Sequence, residues 1–180
     1  MIETERLKLI ACTKLHLASL TYGTTALANF LELEEANNWL RSPNSVHEAL
    51  VTLEDKPNSL RWGMHLIQFK DENRIIGTCG YNGAADADGM VAIDCAIAPD
   101  YEGQGFATEA VAGLLDNAFS WRIVEMVDSC TPAGDQTMAR VFKKLGFTKV
   151  AGETNAKVRN PRRWRLRREE YSASKESSSG

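Results

Sequence analysis

The run Tyr101 Glu102 Gly103 Gln104 Gly105 Phe106 Ala107 Thr108 Glu109 Ala110 has the residue types of an anion cradle. Two glycines lack Cβ atoms, so the backbone can curl there and turn successive N–H groups toward one point. A helical pattern follows at Ala107, Val111, Leu114, Leu115 and Ala118, and the positive end of its dipole adds to the field of those amides. Such a turn holds a phosphate. The spacing is not that of a P-loop, which needs Lys and then Ser or Thr after its second glycine, where this chain has Phe106 and Ala107. A dinucleotide fold fits loosely: Thr108 stands where a third small residue is needed, and Asp128 near the place of an acid expected roughly 20 residues on. On the local pattern alone, a tight turn without a ligand stays open.

The elements that must position this turn read clearly. An apolar run from Met90 to Ala98 ends at Pro99, which cannot continue a ladder. As a strand it has two unlike faces. Val91, Ile93, Cys95 and Ile97 point one way to pack on helices, while Ala92, Asp94, Ala96 and Ala98 are small except for one carboxylate and leave room for a ligand. Upstream, Leu7 to Ala11 reads as a strand, followed by helical stretches from Lys14 to Leu33 and Val46 to Glu54. Met64 to Phe69 and Arg74 to Tyr81 form a hairpin across Asp71 Glu72 Asn73. Downstream come a strand from Ile123 to Ser129, a helix from Gln136 to Leu145 stopped by Gly146, and a strand pair from Phe147 to Val150 and Arg163 to Tyr171. The Ser-rich end, 172–180, is expected to be disordered.

With 180 residues and 43% hydrophobic content, the chain suits one domain, 1–171. A net charge of −3 argues against a general binder of nucleic acid or anionic membrane. No apolar run has the length of a membrane span and the start is not a signal peptide, so the expected compartment is the cytoplasm. Cys12, Cys79, Cys95 and Cys130 lack paired spacing and read as small core residues, and His16, His47 and His65 show no metal spacing, so no metal is expected.

Ala98 Pro99 Asp100 Tyr101 through Thr108 Glu109 Ala110 resembles the acetyl-CoA signature of the GNAT superfamily of N-acetyltransferases, in its ribosomal-protein (RimJ/RimL-like) branch. Three further pieces resemble that branch in the same order: Thr4 Glu5 Arg6 Leu7 Lys8 Leu9, Arg74 Ile75 Ile76 Gly77 Thr78 Cys79 Gly80, and Val141 Phe142 Lys143 Lys144 Leu145 Gly146 Phe147. The resemblance implies a GNAT fold of the α/β (α+β) class, a single mixed and mostly antiparallel sheet of six to seven strands flanked by helices, with splayed central strands. It also implies an enzyme that transfers acetyl from acetyl-CoA, as cosubstrate, to a primary amine such as a protein N-terminus or a small molecule.

Carried onto this chain, the resemblance implies that the strand at 90–98 splays from its neighbour after a bulge. The backbone of Cys95 and Ile97 would then bond the pantetheine arm, with the Ile97 N–H polarising the acetyl carbonyl as a catalytic group. The amides of Gly103, Gln104, Gly105, Phe106, Ala107 and Thr108 would hold the pyrophosphate. Asp135 stands where the family usually has a CoA-contacting Asn, although after Pro132 and Gly134 it also reads as a helix N-cap. The family's usual glutamate base aligns with Ala92, so Asp94, two residues on, is the candidate base. The usual Tyr and Ser acids align with Phe142 and Met138, which donate no proton. Acceptor recognition falls on the region of Trp39 and Trp62 and on the loop running into Arg159, Arg162, Arg163, Arg165, Arg167 and Arg168. Two competing readings stay open: a CoA-binding module with little transfer, and an RNA-associated protein using the Arg cluster. The oligomeric expectation is a monomer or homodimer.

Overall fold

The computed structural model describes residues 1–40, 43–151 and 161–178. Its strands are β1 (Ile2–Glu3), β2 (Leu7–Ala11), β3 (Glu34–Glu35), β4 (Met64–Phe69), β5 (Arg74–Tyr81), β6 (Met90–Ile97), β7 (Met126–Pro132), β8 (Thr148–Val150) and β9 (Pro161–Arg167). They form a single sheet in the order β1-β2-β4-β5-β6-β7-β9-β8, with β3 added to β5. Among the described residues only β3–β5 and β6–β7 are parallel. This is the expected mixed, mostly antiparallel sheet. It has more strands than expected because β1 and β3, at two residues each, are too short to carry an alternating signal.

The helices are α1 (Lys14–Thr21), α2 (Thr24–Leu31), α3 (Pro43–Asp55), α4 (Phe106–Phe119), α5 (Gln136–Lys144) and α6 (Arg168–Ser178). A capping box opens α1: the His16 amide donates to Thr13 Oγ1 at 3.2 Å, and the Thr13 amide to His16 Nδ1 at 3.3 Å. The single helical stretch expected from Lys14 breaks at Gly23, whose φ is 119°. Helix α4 is the central one. Its Leu114 carbonyl accepts the Tyr81 hydroxyl at 2.7 Å, and its Val111, Leu114, Leu115 and Ala118 are buried, as the periodicity predicts.

Two expectations near the C-terminus need correction. Strand β7 begins at Met126, not Ile123, because the chain after α4 first turns through Trp121–Val124, where the Arg168 guanidinium binds the carbonyls of Phe119, Trp121 and Val124. Strand β9 ends at Arg167, and Arg168–Ser178 form α6, where a strand end and a disordered tail were expected. Contacts outweigh composition here: the Tyr171 ring stacks on Phe119 at 4.9 Å, Lys175 pairs with Asp116 at 3.0 Å, and Glu169 and Glu170 favour the positive end of the helix.

Strands β5 and β6 approach so closely that Gly77, opposite Ile97, has no space for a side chain. A Cβ there would fall 2.2 Å from the Ala96 carbonyl oxygen. Gly77→Ala is therefore expected to push the two strands apart and cost about 3 kcal/mol, lowering Tm by roughly 10 °C. A thermal unfolding curve within 2 °C of wild type contradicts this packing.

Candidate active site

Strand β6 pairs with β5 without a break in register from Ile93 to Ile97. The Asn82 amide donates to Ala92 O at 2.9 Å and the Ala98 amide to Ile76 O at 2.7 Å, so alternation turns the backbone groups of Ala92, Asp94, Ala96 and Ala98 toward β5. Those of Ile93, Cys95 and Ile97 point the other way, toward β7. Strand β7 accompanies β6 only from Met90↔Met126 to Ile93↔Ser129. The Ser129 hydroxyl closes that pairing on Ile93 O at 2.9 Å. Beyond it the strands part, and the N–H and C=O groups of Cys95 and Ile97 open onto the gap. The expected bulge lies elsewhere, in the β4–β5 pairing between Ile67 and Gln68.

A groove of about 900 Å³ occupies the gap. The end of β6 contributes Cys95, Ala96 and Ile97; the turn contributes Glu102, Gly103 and Gly105; the first turn of α4 contributes Phe106, Ala107 and Thr108. Helix α5 adds Asp135, Met138, Arg140 and Lys144 on the far side. Gly103 (φ 76°) and Gly105 (φ 85°) take left-handed conformations that a side chain would strain. Gly105 caps α4 without a side-chain bond, and its carbonyl accepts the Glu109 amide at 3.0 Å. The amides of Phe106, Ala107 and Thr108 precede the first bond of the helix and remain as anion donors.

A clamp missed in the sequence fixes this turn. Glu109 Oε1 accepts the Arg6 amide at 2.7 Å and the Thr4 hydroxyl at 2.6 Å, while Oε2 accepts Arg6 Nε at 2.7 Å. The same guanidinium reaches Gln104 O at 3.1 Å and lies over the Phe106 ring at 4.2 Å. Burial alone would raise the Glu109 carboxyl, but the bonds from Thr4 and Arg6 outweigh it and hold it below its ordinary value. The carboxylate thus stays ionised and balanced by Arg6, and an acid in the first turn does not repel an anion at the neighbouring amides. Thr4, Arg6 and Glu109 all stand in the motifs quoted above; what the sequence conceals is that they touch.

The remaining site candidates divide. Asp135 is the N-cap of α5, accepting the Met138 amide at 2.9 Å, and also borders the groove. Gln104 turns away: its amide bonds Asp100 O at 3.0 Å, and it lines a separate polar depression beside Arg74 and Tyr101. Phe142 is buried against Phe147 and Trp164, whereas Met138 reaches the groove. The Cys95 thiol is pushed far up by burial, which leaves it inert.

Asp94 sits with Ala92 and Ala96 on the opposite face of β6 from Cys95 and Ile97. It is open to solvent yet surrounded by protein, and the lost hydration pushes its pKa up to about 6. Among the described residues no hydrogen bond or ion pair engages its carboxylate. The expected acceptor region changes shape. Trp39 is a core residue whose Nε1 donates to Glu35 at 2.8 Å, and only Trp62 is half-exposed. Within the Arg cluster, Arg163 and Arg165 bind the buried Asp128 and Arg168 holds carbonyls, so these three are anchored to the fold; Arg159 lies outside the described residues.

The family model described as an acetyltransferase (GNAT) domain matches residues 6–148. An uncharacterized N-acetyltransferase of Bacillus subtilis (strain 168), YoaA, is 22% identical over 151 residues, covering 83% of each chain. Mutant forms of the spermidine/spermine N-acetyltransferase SpeG from Vibrio cholerae share the fold with a TM-score of 0.67 at 15% identity, over 96% of this chain and 99% of theirs. The ribosomal-protein-S5-alanine acetyltransferase from Vibrio fischeri gives a TM-score of 0.67 at 15% identity, over 94% and 97%. The matched span takes in the clamp at Arg6, the splayed strand and the glycine turn, and the chain belongs to the GNAT acetyltransferase family.

Proposed function

We propose that the acceptor of this acetyl-CoA-dependent N-acetyltransferase is an α-amine, the N-terminus of a protein or peptide, and that Asp94 is its base. The observation that carries this reading is Asp94 itself, unpaired on the open side of the splayed strand with a pKa of about 6. A primary amine attacks only when neutral. Taking the proton from an α-amine of pKa near 8 is a climb of about two units, roughly 3 kcal/mol; from an alkylamine near 10.4 it is about twice that. The base therefore suits an α-amine better than a polyamine or a lysine.

The groove fits acetyl-CoA on its own chemistry. The free amides at 106–108, with Arg140 and Lys144 opposite, suit a pyrophosphate, and the unpaired edge at Cys95 and Ile97 suits an amide-bearing arm. When bound, acetyl-CoA supplies the acetyl group as a thioester. In this reading the amides from Gly103 to Thr108 hold the phosphates, and the Ile97 N–H faces the acetyl carbonyl, a donor of the kind that contributes about 3 kcal/mol. Tyr101 borders the groove but does not replace the missing acid, because it commits its hydroxyl to Glu72 and Arg74. A thiol of pKa near 8.5 leaves tolerably as thiolate and takes its proton from water. Acetyl-CoA and free N-termini meet in the cytoplasm, the compartment this reading implies. Thiol release is expected with peptides starting in Ala or Ser at rates at least tenfold above those with spermidine. Acetyl-CoA binding without release on any amine would leave the CoA-binding module as the function.

A further inference from the structure

Asp128 presents an imbalance of charge on the face that carries Asp94. It lies beside Ala92 on β7 and opposite Arg165 on β9, and is 3% exposed. Both of its oxygens are taken by two guanidinium forks. Arg163 approaches Oδ2 through Nε and Nη2, each at 2.6 Å; Arg165 approaches Oδ1 through Nε at 2.7 Å and Oδ2 through Nη2 at 2.9 Å. One arginine balances the carboxylate, and the charge of the second is offset only in part, by Asp86 acting on Arg165.

Neither Nη1 group makes a hydrogen bond among the described residues, although the side chains keep 23% and 20% of their surface. Uncommitted guanidinium N–H pairs suit the planar oxygens of a carboxylate. Their position is equally informative. Asp94 stands two residues along β6 from Ala92, the residue paired with Asp128. Strand rise and strand spacing put the Cα atoms of Asp94 and Asp128 about 8 Å apart. In an extended peptide, a carboxylate one residue beyond the amine lies within that reach.

We propose that Arg163 and Arg165 select acceptors that carry a carboxylate next to the reacting amine, so that the amine meets Asp94 while the carboxylate meets the two Nη1 groups. Asp128 is the positioning residue that holds both forks on this face and keeps them from pairing with Asp94. The assignment rests on the reading of the Asp94 side as the acceptor side.

The test compares two peptides that differ only in Glu or Gln at the second position. The wild-type enzyme is expected to favour the Glu peptide at least tenfold in kcat/KM, mainly through KM, and the preference should shrink as salt rises. Arg163→Gln should reduce it below about threefold with the KM for acetyl-CoA unchanged, and Arg163→Lys should retain part of it. Equal rates, or a preference for Gln, in the wild type overturn the proposal while leaving N-acetyl transfer intact. If neither peptide turns over, calorimetry of the two N-acetylated peptides with CoA present decides it independently of catalysis. Tighter binding of the Glu peptide supports the selection, and equal or weaker binding overturns it.

Discussion

Ala107→Glu is expected to weaken acetyl-CoA binding roughly 100-fold without unfolding the protein. Ala107 lies in the first turn of α4 and lines the groove. A carboxylate there stands beside the amides assigned to the pyrophosphate. Two like charges about 4 Å apart repel by roughly 4 kcal/mol in a partly solvated site, and about 3 kcal/mol surviving solvent screening gives the 100-fold figure. The helix itself responds the opposite way, because an acid near its N-terminus adds about 0.3–1 kcal/mol of stability. Binding and stability thus move in opposite directions. Ala107→Gln, similar in size but uncharged, should bind nearly as well as wild type, and the gap between the two variants should narrow in high salt. A calorimetric Kd for Ala107→Glu within threefold of the Gln variant would move the pyrophosphate away from this turn.

The strand and turn assigned to the donor were legible in the sequence because their signal is carried by the backbone. Gly103 and Gly105 announce left-handed conformations, and the alternation of β6 gives the directions of Cys95 and Ile97 before any tertiary contact is known. What lay out of reach depends on residues distant in the chain. The Arg6 amide and Glu109 are 103 positions apart, and Arg163 and Asp128 are 35 apart. Each reads alone as an exposed charge. Trp39 misled for the same reason: an aromatic in a variable region looks like a recognition residue until its indole is found buried over Glu35. At the C-terminus, serine-rich composition concealed a helix whose stability comes from Phe119 and Asp116 on α4. The strand and turn assigned to the donor were local; the charges assigned to the acceptor were not.

Asp94→Asn should lower kcat by about 100-fold, within the usual range for loss of a general base. The acetyl-CoA Kd should hold, since Asp94 faces away from the Cys95 and Ile97 side of β6 and does not line the groove. The pH profile carries the stronger test. Crowding by protein raises the Asp94 pKa to about 6, and a base acts only when ionised. Wild-type kcat/KM should therefore climb about tenfold per pH unit below 6 and level off between about 6 and 8, where the ionised base takes the proton of the α-ammonium. In Asp94→Asn the limb near 6 should vanish and a rise toward about pH 8 should take its place, because the acceptor must then lose its proton to solvent before it attacks. Replacement by Asn keeps the size of the side chain on a face otherwise formed by Ala92 and Ala96, so the splay of β6 from β7 is preserved and the change reads on the proton alone. Equal turnover of mutant and wild type from pH 6 to 9 would remove Asp94 from the reaction and leave the amine to arrive already neutral from solvent.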